Sequence, residues 1–133
     1  MVYILTKMAN LLQKFNEKKV QEYKKDSCDF NSFNVGDTVN VGITIREGAN
    51  TRVQQFQGTC IAKKSRGIAS SFIVRKLTTS GDAVEKNFKV YLSSIEFIET
   101  VKRGAVRRAK LYYLRDRSSK QSRIKEKFDS KKS

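Results

Sequence analysis

Thr38-Val39-Asn40-Val41-Gly42-Ile43-Thr44-Ile45 is the stretch on which the fold turns. Its large apolar side chains occupy every second position, and the residues between them are Thr, Asn and Gly. A period of two puts one set of side chains on each face of a strand, so this segment predicts a half-buried β-strand with Val39, Val41, Ile43 and Ile45 inward. On its N-terminal side Gly36-Asp37 marks a turn. On its C-terminal side Glu47-Gly48-Ala49-Asn50 predicts a second turn, after which the chain must come back antiparallel.

Working outward, the returning strand is expected over about Thr51–Lys64, with Gly58 inside it as the site of a bulge or sharp bend. Ser65-Arg66-Gly67 breaks the pattern. A third strand holds Phe72, Ile73 and Val74 and runs to Leu77, and Thr78–Asp82 makes a hairpin loop. A fourth carries Val84, Lys86, Phe88 and Val90, and a fifth covers about Ile95–Val101. Five short strands separated by glycine-containing turns predict a mainly β domain, a small barrel or sandwich. Closing the sheet into a barrel would remove the exposed edges that a small chain can ill tolerate.

The flanks read differently. Met8, Leu11, Leu12 and Phe15 fall at helical spacing, which predicts a helix over about Thr6–Lys25 with Thr6 as its N-cap; its second half is mostly Lys, Glu and Gln, a solvated or partner-covered face. Asp26–Asn34 has no period and reads as a linker. Past the fifth strand, Leu111 and Leu114 lie three apart with Tyr112 and Tyr113 between them, which fits a short helix docked on the sheet. The flanking leucines favour an anchoring role for the two tyrosines over stacking on a base. Beyond Arg117 only Ile124 and Phe128 are large and apolar. So little apolar surface does not offset ordering entropy, and residues 116–133 are expected to order only on a partner. The chain thus divides into an N-terminal helical extension and linker (1–32), a β domain (33–102) and a basic, partly helical arm (103–133).

Charge points to the partner. The 133 residues carry 28 Lys and Arg against 13 Asp and Glu, a formal charge of +15. Residues 1–30 contribute six basic and four acidic side chains, residues 31–100 nine and six, and residues 101–133 thirteen and three. A near-balanced body with a cationic arm asks for a polyanion, and nucleic acid is the commonest one. No segment approaches the roughly 20 apolar residues of a spanning helix, so a membrane is not the expected partner. Met1–Lys25 has neither a signal-peptide core nor the arginines of a transit peptide, and no targeting segment is expected.

The chemistry of the chain argues against catalysis. There is no His, the commonest base near neutral pH. No spacing proposes a pair of carboxylates, and there is neither a phosphate-binding glycine loop nor a nucleophile elbow. Cys28 and Cys60 lack paired zinc spacing; Cys60, in an apolar run, reads as a small core residue. Neither cofactor nor metal is expected. A metal-dependent nuclease is the enzymatic alternative, and Asp37 and Glu85 are the carboxylates whose removal would test it. A free-standing RNA chaperone is the non-enzymatic one.

The arm is the strongest local signal, with Arg107, Arg108, Lys110, Arg115, Arg117, Lys120, Arg123, Lys125 and Lys127 around two tyrosines. Arginine presents a flat set of donors suited to phosphate oxygens. Loops of the β domain offer a second basic patch at Lys63, Lys64 and Arg66, with Arg75 and Lys76 at the end of the third strand.

Specific strings then match a known family. Val35-Gly36-Asp37-Thr38-Val39, Glu47-Gly48, Arg52, Gln54, Phe56, Gly58 and Ile61-Ala62 resemble the start of bacterial-type large-subunit ribosomal protein number nineteen. Phe72, Val74-Arg75-Lys76 and Val84-Glu85 continue the likeness. Arg103-Gly104-Ala105-Val106-Arg107-Arg108-Ala109-Lys110-Leu111-Tyr112-Tyr113-Leu114-Arg115, then Lys120, Arg123 and Ile124-Lys125-Glu126, complete it, and the string Lys110–Arg115 is its most specific part. The likeness spans about Phe33–Lys127. Val35 stands where the family usually has Pro, Ala83 where it has Gly, and Leu92-Ser93 where it has Ser-Pro.

This resemblance implies an SH3-like barrel with a basic extension, seated on large-subunit ribosomal RNA at the face that meets the small subunit. It implies a share in an intersubunit bridge to small-subunit RNA, neighbouring ribosomal proteins as partners, no membrane and no small-molecule substrate. Carried over by position, the RNA-contacting residues are Arg66, Arg75, Lys76, Arg103, Arg107, Arg108, Lys110, Arg115, Lys120, Arg123 and Lys125; the arm's charge adds Arg117 and, at its root, Lys102. The place of work is a ribosome of a bacterium or of an organelle, a Lys-rich, Pro-free sequence favouring a plastid over a mitochondrion.

Overall fold

A computed structural model describes residues 2–24 and 32–128, with side chains for 8–23 and 32–128. Cys28 and most of the expected linker lie outside these residues. The element order is α1 (Val2–Lys24), β1 (Thr38–Glu47), β2 (Asn50–Lys64), a 3-10 turn (Gly67–Ala69), β3 (Ser71–Leu77), β4 (Ala83–Lys89), β5 (Ile95–Lys102) and a second 3-10 turn (Tyr112–Asp116). Among the described residues the protein is mainly β, with one N-terminal helix and one antiparallel sheet of order β4-β3-β2-β1-β5.

The deciding stretch forms β1, an interior strand between β2 and β5. Val39 and Val41 are fully buried, and the Thr38↔Thr59 to Glu47↔Asn50 register closes over the two-residue loop Gly48-Ala49. All five expected strands are present, with one trimmed end: β4 stops at Lys89, and Val90 lies buried in the turn after it. The expected closure is not reached. β4 pairs with β3 and β5 with β1, while no ladder joins β4 to β5 among the described residues, so both remain edges.

Two apolar clusters hold the sheet. The first gathers Phe33, Val39, Val41, Cys60, Phe72, Val74, Phe88, Val90 and Ile95. Phe33 belongs to the segment read as linker, yet its ring meets Phe72 edge-on at 5.0 Å. Cys60 is the small core residue expected; burial pushes its thiol up to about 12, so it stays protonated and inert near neutral pH.

The second cluster joins Ile61 and Ala62 of β2 to Leu111 and Leu114, with Val35, Ile73, Val106, Tyr113 and Ile124 around them. It exists because of a bulge, which is not at Gly58. The β2–β3 register steps from Cys60↔Val74 to Ala62↔Ile73, leaving Ile61 as the extra residue. Cys60 then faces the first cluster while Ile61 and Ala62 both turn to the second. The carbonyl of Ile61 accepts a hydrogen bond from the Leu111 amide at 2.8 Å. Gly58 is glycine for another reason: a Cβ there would sit 2.6 Å from the carbonyl oxygen of Arg75 on β3.

Two expectations at the ends are corrected. The helix begins at Val2, four residues before Thr6, which is therefore inside it rather than its N-cap. Its apolar stripe does not face the sheet: Met8, Leu11, Leu12 and Phe15 are exposed, while Gln13, Asn16, Glu17, Val20 and Gln21 face Arg66 and Gly67. The arm, expected over residues 116–133 to order only on a partner, folds back on its root as far as Phe128; residues 129–133 lie outside the described residues. The Ala105 amide donates to the Lys125 carbonyl (2.8 Å), the Lys127 amide donates to that of Arg103 (2.9 Å), and Gly104 bridges Glu126. Ile124, one of its few apolar residues, reaches the second cluster and supplies the burial that a polar tail lacks.

Candidate nucleic-acid interface

The folded-back arm makes a groove of about 470 Å³. One wall is the segment 105–108, the other 123–125, and Tyr113 and Leu114 of the second 3-10 turn lie between them. Arg107, Arg108, Arg117, Arg123 and Lys125 all line it. These residues lie as much as 18 positions apart in the sequence; antiparallel pairing across Gly104 and Glu126 brings the two walls together. Five cations around one trough repel one another, and a polyanion seated there offsets that cost.

The two tyrosines divide their roles. Tyr113 is half-buried against the second cluster, with the guanidinium carbons of Arg108 and Arg117 at 5.1 and 5.5 Å from its ring centroid. Tyr112 is more exposed and carries Arg115 at 4.9 Å. Anchoring is therefore the part of Leu111, Leu114 and Tyr113, and Tyr112 has a lesser share in it. Gln121, not among the residues nominated from sequence, also lines the groove; a polar side chain in a Ser-rich turn gives no signal of its own.

The remaining nominees lie apart. Arg75 on β3 is largely covered and donates to Glu85 of β4 at 2.8 Å. Arg115 holds the same carboxylate through Nε (2.9 and 3.0 Å) and a terminal nitrogen (2.8 Å). Glu85 thereby ties the arm to the sheet edge. Lys102 pairs with Glu126 at 3.4 Å on the surface, an arrangement worth little. Lys76 is exposed near Phe56, Lys110 and Lys120 are exposed outside the groove, and Arg66 immediately precedes the first 3-10 turn beside α1. Arg103 is exposed, and its carbonyl takes part in the arm's pairing. Lys63, read as part of a basic loop, turns inward: its ammonium donates to the Phe33 carbonyl at 2.6 Å and lies over that ring, and burial lowers its pKa.

The carboxylates are occupied too. Asp37 is buried and accepts from the backbone amides of Asn34 and Gly104, both at 2.9 Å. Among the described residues no three His, Cys, Asp or Glu side chains are grouped to hold a metal ion. The two residues that a nuclease reading would use are thus engaged in holding the arm.

The family model for ribosomal protein L19 matches residues 10–127, which takes in the sheet, the groove and most of α1. The chain belongs to the ribosomal protein L19 family. Membership makes it a structural, non-enzymatic constituent of the large ribosomal subunit that serves translation and associates with ribosomal RNA and other ribosomal proteins. No helix among the described residues is long and apolar enough to cross a membrane. The tail of the L19 likeness, Arg103–Arg115, runs through the Gly104 crossing, one wall of the groove and the Leu111 anchor. Val35, where L19 proteins usually have Pro, is half-buried in the second cluster, so an apolar side chain fills that place without the ring.

Glu85 gives the interface an acid-sensitive tie. Arg115 above all holds its pKa below the ordinary carboxylate range; burial opposes it, and Arg75 adds a further lowering. A depressed folded pKa contributes stability that is full above the unfolded value of about 4.3 and is lost as pH falls through the folded value. Glu85→Gln is therefore expected to lower the unfolding free energy by about 1–3 kcal/mol at neutral pH, with the difference from wild type shrinking below about pH 4. Melting curves of the two proteins from pH 7 to pH 3 check this; a constant gap across the range would mean that the charge of Glu85 is not what ties the arm.

Proposed function

We propose that this chain binds large-subunit ribosomal RNA through the groove of its arm, with the sheet setting the arm's position. The observation that carries the reading is the convergence of Arg107, Arg108, Arg117, Arg123 and Lys125 on one trough. Arginine-rich walls recognise phosphate oxygens and shape more than sequence, which suits a protein fixed on folded RNA. Lys76, Lys102, Arg103, Lys110 and Lys120 extend the same charge outside the groove. Arg66 adds to it at the α1 face, and Arg75 and Arg115 act through the Glu85 tie. On this reading residues 33–102 are the positioning domain, 103–133 the RNA-holding arm, and 1–32 a separate extension.

The sheet itself reads as the SH3-like barrel that L19 membership implies, open between β4 and β5. What supports this is that Phe88 of β4 and Ile95 of β5, on opposite edges, share one apolar cluster. A place at the face that meets the small subunit, with a share in an intersubunit bridge to its RNA, rests on the family likeness. The β1–β2 hairpin adds support, because beyond Ile45 and Arg52 its strands pair only with each other and project from the sheet. A bacterial or organellar ribosome, plastid before mitochondrion, is the setting that the composition favours.

The test is sedimentation of a cell or organelle extract at low magnesium, with this chain probed across the gradient. Co-migration with the large subunit alone is expected, and the chain should leave the particle in a high-salt wash. Protein concentrated at the top of the gradient would instead indicate a free RNA factor that shares the fold.

A further inference from the structure

We infer that Tyr113 is a positioning residue for RNA binding: its ring stages Arg108 and Arg117 as a pair presented to phosphodiester oxygens. The inference rests on the RNA reading of the groove and adds how the groove is prepared. Arg108 and Arg117 come from different segments, yet both guanidinium groups pack on this one ring, and both line the groove. The ring is fixed from behind by Leu111 and Leu114, fully and almost fully buried. The Ile61 bulge fixes Leu111 in turn, through its carbonyl. A chain of contacts therefore runs from the sheet to two long side chains that would otherwise sample many rotamers.

Free arginine side chains lose rotamer freedom when they grip a phosphate. A flat aromatic face restrains the guanidinium plane beforehand and leaves its edge N–H groups to donate. The ring that a splayed RNA base would need is already shared between two guanidinium groups and the apolar cluster. Tyr113 therefore serves the backbone of the RNA rather than a base.

The test measures binding of the full chain to a labelled oligouridylate over a range of salt, by anisotropy, for wild type, Tyr113→Leu and Tyr113→Phe. Leucine keeps an apolar anchor but removes the aromatic face. It is expected to weaken binding roughly tenfold and to flatten the salt dependence by about 1.4 log units per log unit, the share of two phosphate contacts on a single strand. Phenylalanine keeps the face and should bind within about twofold of wild type, since the stacking energy comes from the ring.

A role in folding alone would lower the melting temperature of Tyr113→Leu while leaving the slope at wild-type steepness below the melt, and that pattern would overturn the inference. So would a loss with phenylalanine as large as that with leucine, which would put the role on the hydroxyl. Should the leucine variant not fold, Arg117→Lys at an exposed position decides: a slope lower by about 0.7 supports staging, and an unchanged slope refutes it. Wild-type protein without salt-dependent binding would bring down the RNA reading itself, an outcome distinct from any of these.

Discussion

Asp37→Ala is expected to lower the unfolding free energy by about 2–5 kcal/mol, an effect out of proportion to a short side chain in a turn. Asp37 is only 4% exposed. One oxygen accepts from the Asn34 amide and the other from the Gly104 amide, each at 2.9 Å, so a single side chain fastens the start of the sheet to the root of the arm. Alanine leaves both partly buried donors without their acceptor, at about 1–3 kcal/mol for each.

The place cannot be refilled from the arm side. Gly104 runs so close over the turn that a Cβ on it would collide with the Gly36 carbonyl oxygen, and Gly36 in turn has Val106 against it. Asp37→Asn keeps one acceptor oxygen but sets an NH₂ against the other amide, and it should fall between alanine and wild type. Denaturant titration measures the loss, and hydrogen exchange locates it: protection of the amides of Gly104 and Ala105 should drop first. A change below about 0.5 kcal/mol, the size of an ordinary surface substitution, would mean that the arm is held elsewhere.

How much of this was legible in the sequence depends on whether a feature is local. The alternation in β1 is local, because the pleat forces successive side chains to opposite faces, and it reads correctly from Thr38 to Val41; farther on Gly42 is buried and Ile45 is only half-buried, as Thr44 is. The turns at Gly48 and Gly81 are local for the same kind of reason. The bulge is not. It was expected at Gly58, where a missing side chain is visible, but that glycine answers the close approach of β3. The extra residue is Ile61, an ordinary β-former whose displacement is decided by the partner register and by Leu111, some fifty positions later. Closure of the sheet was likewise a global property that five strand signals did not determine.

The functional residues divide along the same line. Charge alone nominated the arm, and the family likeness nominated individual arginines. Neither separates Arg123, which lines the groove, from Arg115, which is tied to Glu85; the difference is a matter of which acidic side chain lies across the strand pair. Lys63 shows the same failing from the other side. In sequence it is one of two adjacent lysines by a turn, and in the fold the bulge turns it on to Phe33. The carboxylates were undervalued because their partners are backbone amides and arginines far along the chain. The arm's order was missed because Ile124 counts for little until the second cluster exists to receive it.

The largest expected effect on function comes from removing the groove's charge without touching its frame. Arg107, Arg123 and Lys125 line the groove from both walls, and all three are exposed. Replacing the three together with Gln keeps length and polarity and removes three positive charges. Exposed substitutions of this kind usually move stability by less than about 0.5 kcal/mol. Relief of repulsion among five neighbouring cations should leave the fold no less stable than before. Binding to large-subunit RNA should change far more. If each cation meets one phosphate, the salt slope falls by about 2.1 to 2.7, and affinity near 0.15 M salt drops by roughly 50- to 170-fold. The matched control is Lys14, Lys18 and Lys19 to Gln, the same charge change on α1, which should cost a few-fold at most by lowering the general attraction. Salt-dependent affinities of the three proteins decide between a site and a diffuse charge. If the helix variant lost as much as the groove variant, the arm would be one basic surface among several, and the convergence of its arginines would have no special part in holding the RNA.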